Sequence, residues 1–176
     1  YKRQLGLGAV VFTLLVTTLD DPGVTWDEVY PNFEAARRQA QWFKRLGHSE
    51  DNFSAETIEK YWYTTSDHPS LPRTCAALSS ILIGAFADEI VAFRLPSAFL
   101  FSILIVTVFC WCRKHVGWGA AWVAPLCLAA MPRLFGHAHI YSLDVPMMCW
   151  WIWTLFAFAS LLDGSRPAWQ AALVLS

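Results

Sequence analysis

From Leu95 to Cys112 the chain carries no charged residue, and it then meets Arg113, Lys114 and His115 in succession. A helix of that length crosses hydrocarbon about 30 Å thick. The basic cluster at its end places that end in the cytoplasm. One such segment commits the chain to a bilayer, and the composition agrees: 56% hydrophobic residues, with 10 Trp and 12 Phe, is too apolar for a soluble domain of 176 residues. Two further apolar runs alternate with it. Val116 to Met131 returns outward, its Pro125 tolerated where neighbouring helices satisfy the freed carbonyl, and Val145 to Leu162 goes back in. At the start, Lys2 and Arg3 precede the uncharged Leu5 to Leu19. A cleaved signal peptide would fit that flank and length, but Thr17 to Pro22 lacks a small-x-small cleavage site, so a retained helix is expected, with its start cytoplasmic. Ala168 to Ser176 opens another apolar run without a cap or a charge, as expected of a piece of a longer multi-pass protein.

The stretch between the first two spans, about 20–94, is then extracytoplasmic. Asn32 is placed to cap a helix running to Leu46, with Gly47 as its stop. Along it Phe33, Ala36, Ala40 and Phe43 share a face, while Glu34, Arg37, Arg38, Gln41, Lys44 and Arg45 take the other, a pattern suited to the headgroup plane. Tyr61, Trp62 and Tyr63 suit the same interface. Asn52-Phe53-Ser54 has the form of a glycosylation sequon. Thr74 to Ala87 is apolar but short for a span, and ends at Asp88 and Glu89, so an interfacial or re-entrant helix is expected. A full span there would turn Arg113 and Lys114 outward, against the charge rule. The expected fold is therefore all-α: a multi-pass transmembrane helical bundle with spans near 5–19, 95–112, 116–131 and 145–162, the start of another at 168, and amphipathic interfacial helices in the first extracytoplasmic loop.

That topology gathers Asp27, Glu28, His68, Arg73, His137, His139 and Asp144 at segment ends on one side of the membrane. Ionisable groups at the bilayer centre cost about 2.5–3.5 kcal/mol on insertion scales, which residues at the interface avoid while staying near lipid. Two adjacent carboxylates between aromatic neighbours, in Thr25-Trp26-Asp27-Glu28-Val29-Tyr30-Pro31, can meet a lipid-borne substrate and water together; a solvated loop acid reads the same way. With Asp144, His137 and His139 are candidate ligands for a divalent metal ion if the segment is extended, but on a helix the two histidines diverge, and interfacial histidines bonded to backbone are the alternative. His68 before Pro69 fits either a site or a turn. The five cysteines lie in apolar runs without zinc-site spacing and read as buried thiols. A net charge of −1 with no basic tail gives no sign of a nucleic-acid partner, and none is expected.

An acidic pair after the first span, His68-Pro69-Ser70-Leu71-Pro72-Arg73 before a short apolar helix, Arg94-Leu95-Pro96-Ser97 entering the next span and Asp144 opening a later one together resemble the GT-C glycosyltransferases. The similarity is closest to the dolichyl-phosphate-mannose protein mannosyltransferases and the bacterial lipid A aminoarabinose transferase-like branch, and it covers residues 1–176 as the N-terminal part of such a domain. It implies a hexosyl- or pentosyltransferase in the cell membrane, with an extracytoplasmic active site, that moves a sugar from a polyprenyl-phosphate donor to a protein, lipid or glycan. By position, Asp27 matches the family's catalytic acid, Glu28 its acidic neighbour and Asp144 the later acid, while Arg73 stands where the family motif has lysine and Ser70 where it has a second proline. The transition state of such a transfer is oxocarbenium-like, so the acceptor hydroxyl must lose a proton and the departing phosphate must be held. Asp27 is the candidate base, its pKa raised by partial desolvation and a second carboxylate. Arg73, with Arg37 or Arg38, is the candidate phosphate grip; contact with lipid headgroups is the plainer role for Arg73. A transporter or scaffold fragment handling a lipid-linked anion is the rival reading, but transporters collect ionisable groups near the midplane on broken helices.

Overall fold

The computed structural model describes residues 2–63 and 69–162, with all side chains there except those of Lys2, Arg3, Asp27, Tyr30 and Pro31. Helices follow one another along the chain, and no strand occurs among the described residues: α1 (Lys2–Thr17), α2 (Trp26–Glu28), a π-helical turn (Val29–Phe33), α3 (Glu34–Arg45), α4 (Ala55–Trp62), α5 (Ser70–Ile83), α6 (Glu89–His115), α7 (Trp118–Ala130), α8 (Pro132–Ala138) and α9 (Asp144–Leu162).

The central element is α6, against which α1, α5, α7, α8 and α9 all pack. Its buried Phe101, Leu104, Ile105 and Phe109 meet Val11 and Leu15 of α1, Ala121 of α7 and Val145 and Cys149 of α9. Gly8 lets α1 approach closely, because a Cβ there would stand 2.5 Å from Val106 Cγ2. Small residues at such crossings favour close packing where hydrocarbon surrounds the helices and water no longer drives them together. The outer surfaces are apolar as well. Trp151, Leu155 and Phe158 of α9, Val123 and Leu126 of α7 and Leu5, Val10 and Leu14 of α1 are all exposed, as helices apolar all round are in lipid.

Two helices, α6 and α9, are long and apolar enough to cross a membrane, and α7 with α8 makes a third candidate if that pair, bent by 71°, is one span. The structure moves several expected boundaries. The helix around Leu95 begins at Glu89, with Arg94 inside it. The outward run near 116–131 stops at Ala130 and turns sharply at Pro132 into α8, because a proline starts a helix more readily than it continues one. The segment expected to begin at 168 lies outside the described residues.

Helices α3, α4 and α5 form a second layer beside the N-terminal half of α6. Asn32 sits within the π turn and Phe33 is the residue before α3, so Asn32 does not cap the helix; the turn carries the chain continuously from α2 into α3. Ala35, Ala36, Gln39, Ala40 and Trp42 form the buried face of α3. Gly47 takes φ 84 after its end, a left-handed conformation that glycine adopts without strain. Trp42 closes the α3–α4 corner, its ring edge-on to Phe43, Phe53 and Trp62 and its indole N–H donating to the Asn52 carbonyl at 2.9 Å. Asn52 is buried and its amide nitrogen donates to the carbonyls of Arg45 and Ser49, so the sequon asparagine is spent on holding this corner.

Candidate active site

Where the two layers join, Glu28 and Arg94 are both fully shielded from solvent and form a two-pronged ion pair, Nε to Oε1 and Nη2 to Oε2, each 2.8 Å. Arg94 also donates from Nη1 to the carbonyls of Leu19 (2.6 Å) and Pro22 (2.9 Å), and from Nη2 to that of Gly23 (3.0 Å). All five guanidinium N–H groups are therefore used. Glu28 is equally occupied. Its Oε2 accepts from the backbone N–H and hydroxyl of Thr25, and its Oε1 accepts the backbone N–H of Tyr141 at 2.8 Å. Burial alone would push the Glu28 carboxyl up, but the bonds from Arg94, Thr25 and Tyr141 outweigh it and hold the group below its usual 4.5.

This pair gathers the segments that carry the candidate acids. Asp27 belongs to α2 beside Glu28. Asp144 opens α9, three residues after Tyr141, whose backbone is tied to Glu28. Sequence reasoning assigned Arg94 no role. The signal was there: one cation a few residues inside a long apolar helix has to find an anion or carbonyls.

The other candidates divide into groups. Arg73 is buried on α5, in the same stripe as Ala76 and Ala77. Burial pushes its guanidinium below the usual value, with Tyr141 acting against that shift and the charge of Arg38 adding to it. Arg37 turns elsewhere, to a surface pair with Glu89 at 2.8 and 2.6 Å. Arg38 Nε lies 3.8 Å from Glu34. His68 and the Asp27 side chain lie outside the described residues and side chains.

His137 and His139 lie at the end of α8 and diverge. His137 Nδ1 is 2.7 Å from Asp144 Oδ2. His139 is buried, with Nδ1 on the Phe135 carbonyl at 2.8 Å and Nε2 on the Thr18 hydroxyl at 2.7 Å, which ties α8 to the end of α1. Among the described residues no group of three His, Cys, Asp or Glu side chains is arranged to hold a metal ion.

Apolar helices of spanning length, joined to a layer of amphipathic helices by a buried ion pair, define a helical membrane protein with its polar chemistry at one end of the bundle. The family model of the dolichyl-phosphate-mannose-protein mannosyltransferases matches residues 67–176, more than half of the chain, and the chain belongs to that family, a membrane glycosyltransferase of GT-C type. Searches of curated proteins and of solved structures returned no match.

Proposed function

We propose that this chain transfers a sugar from a polyprenyl-phosphate donor to an extracytoplasmic acceptor, with Asp27 as the base for the acceptor hydroxyl and Arg73, assisted by Arg38, holding the donor phosphate. The observation that carries this reading is the Glu28–Arg94 lock, which joins the turn bearing Asp27 to the loop leading into Asp144 through the Tyr141 N–H. Two segments far apart in sequence, the one that carries Asp27 in α2 and the one that leads into Asp144, are thereby tied to Arg94 of α6. Glu28 takes a positioning role beside Asp27. Paired with Arg94, its charge is neutralised locally and exerts little field on its neighbour. Asp144, in contact with His137, is the second acid of the site.

Sugar transfer from polyprenyl-phosphate donors by the membrane-reconstituted protein tests this directly. Asp27→Asn keeps size and removes basicity, so turnover falls about 10²- to 10⁴-fold with the protein still folded. Arg73→Ala raises KM for the donor, and Arg73→Lys restores part of the loss because the charge survives without the planar fork. Normal transfer by Asp27→Asn together with a dead Asp144→Asn would move the base to Asp144.

A further inference from the structure

Tyr141 is nearly completely buried, and its hydroxyl has no hydrogen-bond partner among the described residues. The rest of the residue is firmly placed. Its ring lies parallel to Phe33 at 6.0 Å and packs in one cluster with Ala36 of α3, Ala76 of α5 and Phe93 of α6, while its backbone N–H is bonded to Glu28. Ala76 lies one helical turn from Arg73 on the buried stripe of α5, so the ring packs in a cluster that reaches the turn of α5 next to Arg73. An unsatisfied buried hydroxyl costs about 1–3 kcal/mol, and the four elements that clamp this ring would hold a phenylalanine equally well. Such a group in a native protein calls for an explanation, and completion by a bound partner is one.

We infer that Tyr141 is a phosphate-binding residue, its O–H donating to an oxygen of the lipid phosphate that Arg73 grips; this rests on the donor reading above. Arg73 and Tyr141 are both almost fully buried, so a phosphate held by the two would be shielded from water. Burial raises the phenol well above its ordinary value, and Tyr141 and Arg73 influence each other electrostatically. The hydroxyl therefore stays protonated and acts as a donor. It supplies a directed hydrogen bond, and the guanidinium supplies the charge.

The test compares wild type and Tyr141→Phe in detergent, using polyprenyl phosphate, the uncharged polyprenol and phosphatidylglycerol as probes. Expected is about 10-fold or more weaker binding of polyprenyl phosphate to Tyr141→Phe, in line with loss of a hydrogen bond to a charged group. Polyprenol binding stays unchanged, and the thermal midpoint of the ligand-free variant is equal or higher, since no satisfied bond is removed. Unchanged polyprenyl phosphate binding by Tyr141→Phe overturns the inference and leaves the donor reading standing. So does a fall in thermal midpoint with all three probes weakened alike, which is the mark of a merely structural hydroxyl. Equal loss for phosphatidylglycerol and polyprenyl phosphate would assign the site to bilayer headgroups and overturn it too. If wild type binds polyprenol as tightly as its phosphate, the donor reading itself fails.

Discussion

The bundle of α1, α6, α7 and α9 and the layer of α3, α4 and α5 solve the problem of burial in opposite ways. In the bundle, leucines and tryptophans point outward and the close contacts are made by small residues and aromatic rings. In the layer, polar groups turn inward: Gln39, Asn52, Thr57 and Arg73 are all buried. A helix apolar on every side can tolerate errors of rotation, because lipid accepts whatever faces out. A helix burying amides and a guanidinium tolerates few, because each unpaired group costs free energy. Near where the two regimes meet, the buried Glu28–Arg94 pair stands beside the apolar cluster of Phe33, Ala36, Ala76, Phe93 and Tyr141, so electrostatics and apolar packing share the join.

That contrast can be broken at the join first. Arg94→Leu leaves a buried carboxylate facing Thr25 and Tyr141 alone, and Glu28→Leu leaves a buried guanidinium; each costs about 3–5 kcal/mol in thermal or denaturant unfolding. Replacing both residues with leucine, which often rescues a buried pair, does not do so here, because the carbonyls of Leu19, Pro22 and Gly23 lose their donors. A double variant as stable as wild type would show that packing holds the layers together after all. Acid probes the same pair. The folded-state pKa of Glu28 is depressed, so its contribution is complete above the ordinary carboxyl value of 4.5 and is lost as pH falls through the lower folded value. Unfolding followed from pH 7 downward should show this loss in wild type and not in Glu28→Gln.

Smaller effects separate the interiors of the two regions. Gly8→Val drives a side chain into Val106 of α6 and costs about 1–3 kcal/mol by overpacking. Asn52→Ala frees the Arg45 and Ser49 carbonyls and costs about 1–3 kcal/mol, read as earlier proteolysis between α3 and α4. Arg37→Ala should be the mildest, at about 0–1 kcal/mol and fading with added salt, because its pair with Glu89 is half-exposed. A loss at Arg37 matching that at Arg94 would erase the distinction between surface and join.

Hydropathy made the apolar helices legible because a long uncharged run has few alternatives, whereas α3 was legible through its helical period, which marked Ala36 and Ala40 but not the buried Gln39. The start of α6 was not. Arg94 looks like a loop residue until Glu28, distant in sequence, is seen to neutralise it, so the expected span began one residue too late for the charge and six too late for the helix. Asp27 and Glu28 were told apart by motif order alone, Asp27 as the base and Glu28 as its acidic neighbour, and that order says nothing of the Arg94 that buries Glu28. The opposed directions of His137 and His139 depended on whether the segment was helical, and only the fold decided it. Tyr141 lies in a short loop with no pattern at all; its burial comes from contacts with three helices.

The bonds of Arg94 also have an order in time. Leu19, Pro22, Gly23 and Glu28 all precede it in the chain, so when α6 leaves the ribosome every acceptor its guanidinium will use has already been synthesised. The cation need not wait in the bilayer for a later segment to arrive. Only the Tyr141 N–H comes afterwards, and it goes to Glu28, the partner already in place. A nascent chain halted after α6 should therefore resist extraction as well as a longer one, whereas the same chain carrying Glu28→Leu should not.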